Sequence, residues 1–136
     1  MAFYGKNFKK TKYENIDQLL DAFKAADNIR ALVKTTGSIS RFEKNADGSI
    51  QYIVSKDGQE RLNLKMTPGA EVDFTTPDGK NTKISCQTKD DGVLSVMTFP
   101  DGVKLHMDRV FDGNNMKLII YKDGSDQKGT VFYEQV

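Results

Sequence analysis

The sequence contains a single cysteine and a single histidine, and this shortage excludes two kinds of site. Cys86 alone cannot form a disulfide within the chain, and together with His106 it cannot supply a three- or four-ligand metal centre. No apolar run approaches the about 18 residues that a membrane-spanning helix needs. The first residues also lack the apolar core of a signal peptide, so we expect a cytoplasmic protein that holds no metal.

An excess of charge of one sign is also missing. The 20 Lys and Arg side chains balance 19 Asp and Glu side chains, which leaves a formal net charge of +1. A nucleic-acid-binding protein usually carries a clear basic excess, so we expect no nucleic-acid partner. The 136 residues suffice for one domain over residues 1–136, because a chain of this size buries roughly two thirds of its unfolded surface.

What the sequence does contain is a repeated turn signal. The dipeptide Asp-Gly begins at residues 47, 57, 78, 91, 101, 112 and 123, and Pro68-Gly69 adds an eighth turn. Asp-Gly favours tight hairpins because glycine adopts a positive φ without steric cost and aspartate tolerates it. Together with a first segment from Phe3 to Lys12, the segments between these turns predict ten strands.

Most of these segments alternate between apolar and polar side chains. Val103, Leu105, Met107 and Arg109 share one face of their segment, and polar residues occupy the other. Alternation with a period of two indicates an antiparallel sheet with one solvated face. Closing such a sheet removes its exposed edges. The sequence therefore predicts an all-β protein, a ten-stranded antiparallel up-and-down barrel.

One region departs from the strand pattern. Asn15 and Gln18 have the spacing of a capping box, and helical spacing of apolar residues follows until Gly37. The first apolar stripe is Ile16, Leu19, Leu20 and Phe23, and the second is Ile29, Leu32 and Val33. This pattern predicts two short helices between the first and second strands.

Arg109 lies on the apolar face of its predicted strand. Burying an arginine is costly unless it is paired, and three interpretations remain open. The side chain reaches solvent near the strand end, it pairs with a buried carboxylate of the protein, or it binds the anionic group of a ligand.

Tyr133 shares its face of the last strand with Val131. It is either a packing residue whose hydroxyl reaches water or a second donor to the anion that Arg109 would bind. The basic run at residues 9–12 is interpreted as a solvated strand. His106 faces outward, so no serine or threonine has a histidine base on the inner face, and we expect neither an enzyme nor a cofactor.

Several motifs resemble those of the intracellular lipid-binding proteins, the fatty-acid-binding protein family of the calycin superfamily. Residues 3–5 resemble its opening F-x-G, and residues 13–20, YENIDQLL, resemble its entry to the first helix, S-E-N-F-D-E-Y-L. Leu94, Gly102 and Arg109 keep the family spacing. Residues 130–136, TVFYEQV, resemble the family ending T-R-x-Y-E-K-x.

This resemblance implies a β-clam with an internal cavity and a helical lid. It implies that Arg109 and Tyr133 hold a ligand carboxylate, while Val131 stands where the family has a second arginine. The implied function is a monomeric, non-catalytic carrier of a long-chain fatty acid or similar hydrophobic carboxylate. A bulkier or neutral ligand (a retinoid, a sterol-like or a haem-like compound) and a ligand-free interaction module remain alternatives.

The helical pair is either only a lid or also the portal through which the ligand enters. In the second case its weakly basic face would touch anionic membranes transiently. The expected portal residues are Phe23, Lys24, Ile29, Arg30, Val33 and Lys34.

Overall fold

Ten antiparallel strands form one sheet, and two short helices follow its first strand. The computed structural model describes residues 3–76 and 79–136, apart from the side chains of Asn28 and Leu32. The helices are α1 (Ile16–Ala22) and α2 (Asp27–Lys34). The strands are β1 (Asn7–Glu14), β2 (Ile39–Lys44), β3 (Ile50–Lys56), β4 (Gln59–Met66), β5 (Glu71–Thr75), β6 (Asn81–Lys89), β7 (Gly92–Thr98), β8 (Lys104–Asp112), β9 (Asn115–Lys122) and β10 (Lys128–Gln135).

The sheet curves into a nearly closed barrel. Its strand order is β4-β3-β2-β1-β10-β9-β8-β7-β6-β5, so β1 pairs with β10 and the other ladders of the described residues join consecutive strands. The predicted ten-stranded up-and-down barrel, with both helices between β1 and β2, is confirmed. Within the described residues no hydrogen-bonded ladder joins β4 to β5, so the barrel is open between these two strands.

Among the Asp-Gly turns that are fully described, one departs from the predicted pattern. Asp57 and Gly58 both have positive φ, 54° and 74°, as a tight hairpin with a type I′ turn requires. The exception is Gly92, which is the first residue of β7 and lacks a positive φ. The turn there consists of Asp90 and Asp91. Asp78, from another predicted turn, lies outside the described residues.

The first strand begins later than predicted. β1 starts at Asn7 rather than at Phe3, because residues 3–5 form a turn in which Gly5 has a positive φ of 77°. Phe3 is instead a buried core residue. Its ring stacks on that of Phe111 with centroids 4.1 Å apart and meets the ring of Phe42 edge-on at 6.3 Å. Further along β1, the register with β10 shifts between Lys10 and Lys12, which marks a β-bulge.

The helices cover part of the barrel. The apolar stripe of α1 buries Ile16, Leu19 and Leu20, and α1 contacts β9 and β10. Asn15 precedes α1 in a left-handed conformation and makes no side-chain cap hydrogen bond, so the predicted capping box was wrong. The second helix ends at Lys34, before Gly37. Among the described residues, no helix has the length and apolar character needed to cross a membrane.

Candidate functional site

A cavity lies inside the barrel and beneath the helices. Its volume is about 620 Å³, within the range of roughly 300–1,000 Å³ typical of small-molecule sites. Most of its wall is apolar and includes Leu62, Leu64, Met66, Phe74, Met97 and Leu105. The inward faces of the strands therefore do not pack completely against one another. A ligand-free interaction module with a solid core would require complete packing.

Arg109 lies in this cavity wall and is almost completely buried. Arg109 is only 6% exposed, so the interpretation that its side chain reaches solvent near the strand end was wrong. Nη2 donates a hydrogen bond of 3.2 Å to the hydroxyl of Tyr52, and the guanidinium lies 4.7 Å from the centroid of the same ring. Nε is buried and has no hydrogen-bond partner among the residues that the structure describes.

No acidic residue in the described part of the chain neutralises the charge of Arg109. Of the acidic residues that the structure describes, none forms an ion pair with Arg109. A buried cation without a counter-charge is unfavourable, although the faces of Tyr52 and Phe42 offer weak compensation. The arrangement can therefore accept an anion more readily than a neutral polar group.

Tyr133, on β10, lies near the guanidinium of Arg109. It is 4% exposed, and burial raises the pKa of its hydroxyl well above the ordinary value. Neighbouring Tyr52 adds to the upward pKa shift, whereas Arg109 and Ser40 oppose it. The hydroxyl therefore remains protonated at neutral pH and can donate a hydrogen bond. Val131, on the same face of β10, is buried and supplies no charge.

Two polar residues that interact with Arg109 were not identified as site residues from the sequence. One is Tyr52, which contacts Arg109 across 57 sequence positions. The other is Lys10, which is 8% exposed and lines the cavity, so the interpretation of residues 9–12 as a wholly solvated strand was wrong. Burial lowers the pKa of Lys10 to about 8, and the positive charges of Lys56 and Arg109 act in the same direction.

The expected portal residues occupy three kinds of position. Phe23, Ile29 and Val33 line the cavity. Two cations connect the helices instead of standing free. The ion pairs are Arg30 with Asp21 at 2.7 Å and Lys34 with Asp17 at 2.6 Å. Lys24 is exposed after the end of α1 and has a positive φ of 53°.

Comparison with solved structures identifies similar folds. A fatty-acid-binding protein from Manduca sexta superimposes with a TM-score of 0.83 at 22% identity, covering 98% of this chain and 99% of that protein. A Schistosoma mansoni fatty acid binding protein in complex with arachidonic acid has a TM-score of 0.84 at 18% identity, covering 100% and 98%. Secretory abundant heat soluble protein 4 from Ramazzottius varieornatus has a TM-score of 0.81 at 16% identity, covering 100% and 99%.

The similarity is one of fold. No protein-family model matches the chain, and no curated protein matches it in sequence. The resemblance to fatty-acid-binding proteins inferred from the motifs is therefore confirmed at the level of the barrel, over nearly the whole chain. Proteins with different names share this barrel, so the choice of ligand depends on the residues of the cavity.

Proposed function

We propose that residues 1–136 form a single ligand-binding domain that carries a long-chain fatty acid or a similar hydrophobic carboxylate without catalysing a reaction. The observation that carries this proposal is the buried guanidinium of Arg109, which no described acidic residue neutralises, in an otherwise largely apolar cavity of about 620 Å³. The similar solved structures include fatty-acid-binding proteins, which supports a carrier of this class. We propose that the protein acts in the cytoplasm as a monomer.

In this proposal the two ends of the ligand have separate tasks. The apolar chain lies against the aliphatic and aromatic wall, where each buried methylene contributes about 0.8 kcal/mol. The carboxylate accepts hydrogen bonds from Arg109, and the hydroxyl of Tyr133 assists as a donor. Apolar burial then supplies most of the affinity, and Arg109 selects the headgroup and the orientation.

A pair of ligands that differ only in the headgroup tests this function. We expect delipidated protein to bind dodecanoate more tightly than 1-dodecanol at pH 7, because only the acid neutralises Arg109. Isothermal titration calorimetry measures both affinities, and retinol serves as a bulky neutral ligand. Tighter binding of the alcohol or of retinol would replace the fatty-acid proposal with a carrier of neutral ligands, and no binding of any of them would contradict a carrier.

We further propose that the helical lid is the portal and touches anionic membranes during ligand transfer. Phe23, Ile29 and Val33 line the cavity beneath it. Because Arg30 and Lys34 are paired with acidic residues of α1, Lys24 is the portal cation best placed to meet a lipid headgroup.

Reversing the charge at Lys24 tests the membrane contact. A cation at an anionic surface contributes about 1 kcal/mol, so Lys24→Glu is expected to slow transfer of a fluorescent fatty acid to phosphatidylserine-containing vesicles about fivefold or more. Transfer to pure phosphatidylcholine vesicles should change little. Lys89→Glu, at the exposed last residue of β6, is the control for net charge. Equal slowing by both variants would mean that net charge alone controls transfer.

A further inference from the structure

We infer that Lys10 is a second cation of the ligand site and holds the carboxylate together with Arg109. This inference rests on the proposed function and deepens it, because it makes the recognition of the acid headgroup depend on an amine that titrates near neutral pH. It also assigns a role to the one part of the basic run at residues 9–12 that is buried.

The register of β1 and β10 brings Lys10 to the proposed headgroup site. Lys10 lies directly opposite Tyr133 in this antiparallel pair, and residues in such positions have Cβ atoms about 4.5–5.5 Å apart. Both side chains line the same cavity. The side chain of Lys10 is therefore attached to the cavity wall next to that of Tyr133, whose hydroxyl we propose as a donor.

The charges around Lys10 favour a bound anion. Lys10 and Arg109 repel each other within one cavity, as the downward pKa shift that Arg109 exerts on Lys10 indicates. Among the described residues that line the cavity, the acidic residue is Asp101. Asp101 is exposed, and its carboxylate accepts a hydrogen bond of 3.1 Å from the backbone N–H of Val103. A ligand carboxylate near both cations would relieve their repulsion.

Lys10 also contacts the lid, and this contact is compatible with ligand binding. Nζ donates a hydrogen bond of 3.2 Å to the carbonyl oxygen of Val33 in α2. An ammonium has three N–H donors, so a bond to Val33 does not prevent a bond to a ligand. The same contact means that a variant at Lys10 could act through the lid, and the experiment must separate the two effects.

The electrostatic surroundings of Lys10 predict how binding depends on pH. Lys56 on β3 and Arg109 on β8 act on it as cations, and Tyr133 on β10 lies opposite. On α2, Arg30 and Lys34 are paired with acidic residues of α1. In the free protein the pKa of Lys10 is about 8, and a bound carboxylate raises it again. Binding at pH 9 must then be coupled to proton uptake, whereas binding at pH 7 is not.

Calorimetry of dodecanoate binding in two buffers with different heats of ionisation measures this proton uptake. For the unmodified protein we expect an uptake of about half to one proton per ligand at pH 9 and close to none at pH 7. Lys10→Met should abolish the uptake at pH 9 and weaken binding at pH 7 about three- to tenfold. Lys10→Arg should keep the affinity at both pH values without taking up a proton.

Two controls separate this inference from a structural role and from the proposed function. Lys9→Met changes the exposed neighbour and should behave like the unmodified protein. Equal losses of dodecanoate and 1-dodecanol in Lys10→Met, or unchanged proton uptake in that variant, would overturn the role of Lys10 and leave the carrier proposal intact. Preference of the unmodified protein for 1-dodecanol would instead overturn the carboxylate site as a whole.

Discussion

Replacement of Arg109 with methionine is expected to weaken dodecanoate binding about 10- to 150-fold, the effect of losing a charged hydrogen-bonding group worth about 1.5–3 kcal/mol. The same change should stabilise the ligand-free protein by about 1–3 kcal/mol, because it removes a buried cation that the described acidic residues do not neutralise. Methionine retains an unbranched chain of similar length and leaves little empty space. Affinity and stability should therefore change in opposite directions.

Calorimetry at pH 7 measures the affinity, and denaturant unfolding of the delipidated protein measures the stability. Arg61→Met is the matched control, because Arg61 also lines the cavity but is exposed to solvent. It should change both quantities far less. An Arg109→Met protein that binds dodecanoate as tightly as the unmodified protein would remove Arg109 from the ligand site. Parallel losses of stability and affinity would instead assign Arg109 a structural role.

The inward position of Arg109 was predictable from local sequence. Strands alternate strictly between two faces, so the parity of Leu105 and Met107 places Arg109 on the inner face without knowledge of the rest of the chain. Its contact with Tyr52 was not predictable in this way. Tyr52 and Arg109 meet only because the curvature of the sheet brings the inner faces of β3 and β8 together. No local sequence pattern encodes a contact between strands so far apart in the chain.

Lys10 illustrates a different reason for a wrong prediction. The polar run that surrounds it conceals the alternation, although Phe8 is buried and Lys10 shares its parity. The bulge between Lys10 and Lys12 then changes the parity, so that Lys12 is exposed and Tyr13 turns inward. A short alternating pattern ending at a bulge contains too few residues to reveal which face is buried.

Gly92 provides the second large expected effect, which concerns the backbone beside Arg109. A Cβ atom at Gly92 would lie 2.1 Å from the carbonyl oxygen of Arg109, closer than any non-bonded contact allows. Because the obstacle is backbone, Gly92→Ala must displace β7 from β8. We expect a loss of about 2–4 kcal/mol in the free energy of unfolding, in the range of steric strain and overpacking, together with weaker dodecanoate binding because Arg109 moves.

Gly129→Ala is the matched control, since Gly129 is also a strand glycine in a crowded position. Its Cβ would meet Cδ1 of Ile16 at 2.6 Å, Cδ2 of Leu19 at 3.1 Å and the backbone oxygen of Asn15 at 3.3 Å. The two shorter contacts are with side-chain ends, which can rotate away at a cost of about 1 kcal/mol. Urea denaturation should therefore rank Gly92→Ala as the less stable variant, with dodecanoate affinity reduced in that variant alone. The reverse ranking, or equal stability of both variants and the unmodified protein, would show that β7 and β8 are not held at the spacing that fixes Arg109 in the cavity wall.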